Sequence, residues 1–348
     1  MRSVWLAALC AILLWTVALA QGQPTSPPPP AGQQGNSPRN PQQTAQPDQD
    51  DQGAQGADHP EDPYLKYADA RVRVTQIETA EFPTVRAFVA VTDQNGALIK
   101  TLKEGDFTAE ENKTGVTGLR FANRSELNLP LAIMFVVDVS GSMQPAIEQE
   151  KEAIRQFVDK LKPEDRVGLV TFSDAAITQV RLTTDRAELL RAVDELMPQY
   201  QTALWDGIYT GLQELLADAE PGRKAMIVMS DGVDNRSVEN TGTIMQAYND
   251  QARAQNKGFS IFTLGLGLDL DRQGLENIAD QTSGLYIESP TPDDLSSVYE
   301  SILSQIQGEY LLEYESPVES ADGQIIDLEV GVLPVKTDEP GKYTYRSP

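Results

Sequence analysis

The middle of this 348-residue chain predicts an α/β fold, a doubly wound and mostly parallel sheet with helices on both faces. Three observations predict it. From Leu129 onward, apolar runs of strand length alternate with amphipathic stretches of helix length. Two of those runs, LAIMFVVD at 131–138 and AMIVM at 225–229, are almost wholly apolar, as strands covered on both faces are. The sequence on either side shifts to a two-residue alternation, which predicts a β-sandwich formed by the flanks with the α/β unit inserted in it. Two separate small β units are the other arrangement this pattern allows.

Residues 1–20 read as a secretory signal peptide. Arg2 precedes an apolar stretch from Val4 to Ala20, and Ala18-Leu19-Ala20 forms an A-x-A cleavage motif before Gln21. An uncleaved anchor of barely spanning length is the competing reading. Residues 21–63 are rich in Gln, Pro and Gly and too poor in apolar side chains to bury a core, so a disordered linker is expected. Over 64–127, Val72 and Val74 alternate with Arg71 and Arg73. Val85, Ala87, Val89 and Val91 share one face of a second strand, which Asp93-Gln94-Asn95-Gly96 turns back.

Within 128–307, the run ending at Asp138 leads into a helix with Ile147, Ile154, Phe157, Val158 and Leu161 on one stripe. Residues 166–172 are the next strand, and the more polar 175–180 hairpins onto it at the sheet edge. Helices are expected at 185–196 and 203–217, a buried strand at 225–229, a helix at 243–254 and a strand at 259–264. A helix at 272–279, a short strand at 285–288 and a helix at 293–306 complete the unit. Asp269-x-Asp271-x-Gln273-Gly274 has the outline of a calcium loop, but Gln273 and Asp280 fall at two ligand places, so an N-capped helix is expected instead. Over 308–348, Ile326, Leu328, Val330 and Val332 alternate with Asp327, Glu329 and Gly331. These forty-one residues are too few for a core of their own.

Composition removes several chemistries. Cys10, in the signal, is the only cysteine, and His59, in the linker, is the only histidine. Thiolate and imidazole catalysis therefore have no residue within the expected fold. A formal net charge of −24 argues against nucleic acid or an anionic membrane as partner and suits a soluble, cation-binding, exported protein.

The residues that carry chemistry lie where strands end. Asp138 closes a buried strand and is followed at alternate positions by Ser140 and Ser142, with Gly141 allowing a tight bend. Ser230-Asp231-Gly232 releases a second carboxylate from another buried strand, and Thr202 offers a hydroxyl just before a helix, where a simple cap is the alternative. Two carboxylates and three hydroxyls make an oxygen-only set suited to a hard divalent cation. Open α/β sheets bind ligands at these carboxyl ends. Trp205, beside the proposed site, is expected in the core, with an exposed anchor as the alternative.

Asp138-x-Ser140-x-Ser142, Thr202 before a helix, and Val228-Met229-Ser230-Asp231-Gly232 together resemble the von Willebrand factor type A domain. The resemblance implies a doubly wound α/β fold holding Mg²⁺ (Mn²⁺ or Ca²⁺ in some members) in a metal-ion-dependent adhesion site. It implies that Ser140, Ser142 and Thr202 coordinate the ion directly or through water, and that Asp138 and Asp231 act largely through water. It further implies a protein partner whose acidic side chain completes the shell. The family often has Gly-Gly before the threonine; here Tyr200-Gln201 stand there, so partner choice is not carried over. The expected function is an exported, non-enzymatic binding module with no small-molecule substrate. A metal-assisted hydrolase, with Asp206, Asp231 or Asp234 as base, and a scaffold with a structural metal are the alternatives.

Overall fold

A computed structural model describes residues 70–348 apart from Asn95, 123–128, Tyr200, 253–254, 268–269, Pro290, 320–321 and 334–339. The expected signal peptide and linker, with the anchor alternative, lie outside the described residues. Among the described residues no helix is long and apolar enough to cross a membrane.

The centre of the molecule is a six-stranded sheet. Its strands are β6 (Leu131–Asp138), β7 (Arg166–Phe172), β8 (Ala176–Thr183), β9 (Arg223–Ser230), β10 (Ser260–Leu266) and β11 (Tyr286–Ser289), in the order β11–β10–β9–β6–β7–β8. All neighbours are parallel except β8, which runs back along β7 at the edge. The burial of every residue of β6, β9 and β10 explains their apolar runs: helices cover both faces. The helices are α1 (Ile147–Asp159), α2 (Arg186–Asp194), α3 (Leu204–Ala217), α4 (Thr241–Ala247), α5 (Arg272–Gln281) and α6 (Leu295–Gly308). Alternate residues of β6 divide between the two layers. Ile133, Phe135 and Val137 pack with α1, α2 and α6, whereas Met134 and Val136 pack with α3, α4 and α5.

The helix expected over 243–254 differs from the structure. It starts two residues earlier, because Asn240 caps it through Gly242 N and Thr243 N, and after Ala247 it widens into a π-turn over Tyr248–Ala252. The calcium-like stretch is an N-cap: Asp271 accepts from Gly274 N at 3.0 Å at the start of α5, while Asp269 lies outside the described residues. Trp205 is in the core, packed against Gly274.

Strands from both flanks interleave into two further sheets. One has the order β1 (Arg71–Glu81), β2 (Thr84–Thr92), β12 (Tyr310–Glu315), β5 (Thr117–Phe121). The other has the order β14 (Gly341–Arg346), β13 (Ile325–Val332), β3 (Phe107–Glu111), β4 (Thr114–Gly115). Val74, Val85, Ala87 and Val89 from the first flank share a core with Leu312, Tyr314, Leu328 and Val330 from the second. This is a sandwich with the α/β unit inserted between its strands.

A buried ionic cluster ties the unit to the sandwich. Arg223, the first residue of β9, donates from Nε and Nη2 to the two carboxylate oxygens of Glu309 at 2.7 and 2.8 Å. The two side chains are 1 and 2 % exposed. Ser260 Oγ accepts from the same guanidinium at 3.0 Å, and the Phe88 ring of β2 lies 5.7 Å from it. Gln76 of β1 accepts from Lys224 N at 3.1 Å and from Arg223 at 3.3 Å, and donates to Gly222 O at 2.9 Å. Gly222 has φ +136°, and a Cβ there would sit 2.3 Å from Pro130 O, so only glycine serves. Because the pair is fully desolvated, removing one partner strands a charge. Arg223→Met is expected to cost about 3–5 kcal/mol, and adding Glu309→Leu to recover part of that loss. Urea denaturation of the three proteins measures it.

Glu150 on α1 is also fully buried and accepts from the Tyr299 hydroxyl of α6. Burial pushes its carboxyl up to about 8; the Tyr299 hydrogen bond opposes the rise and the nearby charge of Asp138 adds to it. In the unfolded chain the group ionises near 4.5. Between those values the native state holds a proton that the unfolded state has released, so stability falls as pH rises through the window. Glu150→Gln should flatten that slope and be more stable than the parent at pH 8, with less difference at pH 4.5; denaturation at the two pH values tests this.

Candidate functional site

The chain leaves β6 in one direction through β7 and β8 and returns on the other side as β9 and β10, so β6 and β9 flank the switch point of the sheet. Such points open a crevice at the carboxyl ends of the strands. Asp138 is the last residue of β6, and Asp231 follows the last residue of β9.

Hydrogen bonds join four of the five sequence-selected residues into one chain. Asp138 Oδ1 accepts from Ser140 N at 2.8 Å, and its Oδ2 accepts from Ser230 Oγ at 2.6 Å. Ser140 Oγ and Ser142 Oγ are 3.0 Å apart, and Ser142 Oγ donates to Asp231 Oδ1 at 2.7 Å. A short 3₁₀ turn, Gly141–Met143, places the two serines on one side, anchored by the buried Met143. The fifth residue, Thr202, faces the same point: a Cβ built on Gly232 would lie 3.7 Å from Thr202 Oγ1 and 4.0 Å from Ser142 Oγ. Thr202 is not the cap of α3. That place belongs to Ala203, whose side chain caps nothing, and the backbone N–H of Leu204 goes to Asp234 Oδ1 at 2.9 Å.

A layer of supports fixes these positions, and the sequence reading did not single it out. Asn235 Oδ1 accepts from Thr202 N, and Asn235 N donates to Thr202 O, both at 3.0 Å. Asp234 also accepts from Ser237 Oγ at 2.6 Å, and Ser237 Oγ accepts from Asp206 N at 3.0 Å. Asp206 Oδ1 in turn accepts from Val238 N and Glu239 N. The loop 231–239 is therefore stapled to the start of α3. Asp206 and Asp234, two of the three acids considered as bases, are occupied by backbone and hydroxyl donors. The signal available in the sequence was the density of Asp, Asn and Ser over 231–240, which marks side-chain-to-backbone bonding. Tyr200, the departure noted before Thr202, lies outside the described residues.

The electrostatics suit a cation. Asp138 is fully buried, and desolvation lifts its carboxyl to about 6 against the hydrogen bonds from Ser230 and Ser140, with the charge of Asp231 adding to the rise. Burial also raises Asp231, against the Ser142 hydrogen bond. Among the described residues neither carboxylate has an ion-pair partner. No cluster of three His, Cys, Asp or Glu that could hold a metal exists among them either. The donor set here is instead two carboxylates and three hydroxyls, all oxygen, which fits a hard divalent ion. Supports of this kind typically govern metal affinity by ten- to a hundredfold. Asn235→Ala should accordingly lower Mg²⁺ affinity about tenfold while leaving the fold intact, by calorimetry and circular dichroism.

Residues 132–301 match the sequence model of the von Willebrand factor type A domain. A UPF0353 protein of Mycolicibacterium paratuberculosis is 30 % identical over 212 residues, covering 52 % of this chain and 63 % of that protein. A second, from Mycolicibacterium gilvum, is 27 % identical over 201 residues, covering 50 % and 60 %. The chain thus spans about 60 % of the length of the curated relatives it matches. Among solved structures, the von Willebrand factor type A protein of Catenulispora acidiphila is 15 % identical with a TM-score of 0.47, covering 79 % of this chain and 72 % of that one. Proximal thread matrix protein 1 from mussel byssus, solved with a zinc-occupied MIDAS motif, is 23 % identical with a TM-score of 0.45, covering 53 % and 47 %. Residues 132–301 of this chain are a von Willebrand factor type A domain.

Proposed function

We propose that this domain is a divalent-cation-dependent, non-enzymatic protein-binding module on an exported protein. The observation that carries the reading is the hydrogen-bonded chain from Asp138 through Ser140 and Ser142 to Asp231, with the Thr202 hydroxyl turned to the same point. Ser140, Ser142 and Thr202 would hold the ion, and Asp138 and Asp231 would offset its charge. Mg²⁺ is the ion best suited to such oxygen donors, with Mn²⁺ or Ca²⁺ as substitutes. With few anionic ligands bound directly, the ion stays electrophilic and accepts a carboxylate from a partner protein. Hydrolysis would need a general base, and the engagement of Asp206 and Asp234 in loop bonding favours binding over catalysis.

Calorimetry tests the assignment first. Asp138→Ala should abolish measurable Mg²⁺ binding with the fold retained, and Ser142→Ala should weaken binding less; undiminished affinity in Asp138→Ala would falsify the site. Partner capture from the medium should then vanish in EDTA and return with Mg²⁺ or Mn²⁺. Capture that persists in EDTA would move the interaction to another surface.

A further inference from the structure

Six large apolar side chains are exposed among the described residues: Ile177, Met197, Val233, Val238, Ile325 and Leu333. Single exposed apolar residues are ordinary on protein surfaces. Here, however, four of the six stand towards the carboxyl ends of the central strands, Met197, Val233 and Val238 on loops and Ile177 near the start of the edge strand β8. Met197 lies two residues before Gln199, whose N–H donates to Val139 O at 2.6 Å beside Ser140. Val233 follows Asp231-Gly232 directly. Val238 closes the same loop through its N–H on Asp206 Oδ1 at 3.0 Å. Ile177 pairs with Thr171 near the carboxyl end of β7, next to the turn whose Ser173 carbonyl accepts from Ala203 N at 2.8 Å. Met197 and Val238 are the most open, 70 and 89 % exposed. The loops that carry them are pinned, that of Met197 by the Gln199 backbone bond and that of Val238 by the Asp206 carboxylate, so these side chains are displayed on a fixed frame.

We propose that Ile177, Met197, Val233 and Val238 form an apolar collar around the cation site, whose occupant is a segment of another protein with one Asp or Glu flanked within two residues by bulky apolar side chains. The proposal rests on the metal-dependent reading above. Charge complementarity places the carboxylate at the centre, on the ion. The collar then keeps water from that contact, and the attraction between cation and carboxylate grows as the local dielectric falls. Polar flanks would leave the collar wet. A second copy of this chain fits less well, because two molecules of net charge −24 repel one another.

Three synthetic heptapeptides probe the full chain by calorimetry in Mg²⁺ and in EDTA. The first carries one Glu flanked by Leu and Phe, the second one Glu flanked by Ser, and the third repeats the first with Gln for Glu. In Mg²⁺ the apolar-flanked Glu peptide should bind about tenfold tighter than the serine-flanked one. That advantage should all but disappear in the Met197→Ser/Val238→Ser protein, whose Mg²⁺ affinity should be unchanged. Equal affinity of the two Glu peptides, or an advantage that survives the double substitution, overturns the collar and leaves the metal reading standing. Equal binding in EDTA, or equal binding of the Gln peptide, overturns the metal reading and the collar with it. Failure of both Glu peptides to bind the Mg²⁺-loaded chain overturns the proposal, as does Mg²⁺-dependent self-association that the double substitution abolishes.

Discussion

The Arg223–Glu309 pair is the constraint on which the arrangement of the two structured parts depends. A guanidinium and a carboxylate taken wholly out of water are tolerable only when geometry is near ideal and the remaining donors are satisfied. Here the contact is bidentate, and Ser260, Lys224 O and Gln76 take the remaining guanidinium donors. Glu309 stands where α6 hands the chain to β12, and Gln76 and Phe88 belong to β1 and β2. One cluster thus meets the central sheet, the returning flank and the departing flank. Its net contribution to stability is small beside apolar burial; its contribution is to orientation, since in this placement the sandwich and the central sheet satisfy one another's buried polar groups.

The same strand carries that orientation to the opposite end of the sheet. β9 begins at Arg223 in the ionic cluster and ends at Ser230, whose hydroxyl donates to Asp138. The two carboxylates of the site are consequently set by adjacent strands in fixed register, Val137 opposite Met229. The loop residues, by contrast, are held by side-chain bonds from Asp234, Asn235, Ser237 and Asp206. Strand pairing therefore fixes the carboxylate of Asp138, and loop stapling fixes the hydroxyl of Thr202.

The sequence made the central sheet legible because its strands are buried on both faces and its helices on one, so apolar spacing reports directly on structure. The positions of Asp138, Ser140, Ser142 and Asp231 were legible because they sit where an apolar run stops, and that of Thr202 because it stands just before a helix. Arg223 and Lys224 were not legible as strand. A charged residue at a strand start reads as a boundary until its buried partner is known, and Glu309 lies 86 residues away. The Asn240 cap and the widening after Ala247 escaped for a different reason. Periodicity reports the buried face of a helix and is silent on the hydrogen-bond pattern of its ends. The loop supports escaped because Asp, Asn and Ser in a loop look alike whether they bind backbone, solvent or an ion.

The interleaving of the sandwich bears on how the molecule is made. Arg86 of β2 meets Glu313 of β12 across 227 residues of chain. Contacts of such separation form late, because loop closure must be completed before they contribute. During synthesis β1 to β5 emerge first; β2 can pair with β1 and β3 with β4, but the second neighbours, β12 and β13, come only after the entire α/β unit has followed. That unit, with mostly neighbouring strands and local helices, is able to fold around its own core in the interval. Two open strand edges, on β2 and β3, wait meanwhile, and such edges invite pairing with other chains. Glu81, Arg86, Glu110 and Glu111 lie along those early strands. Their charges make premature strand addition costly, a burden that Glu313 and the arriving tail then convert into ion pairs and buried hydrogen bonds.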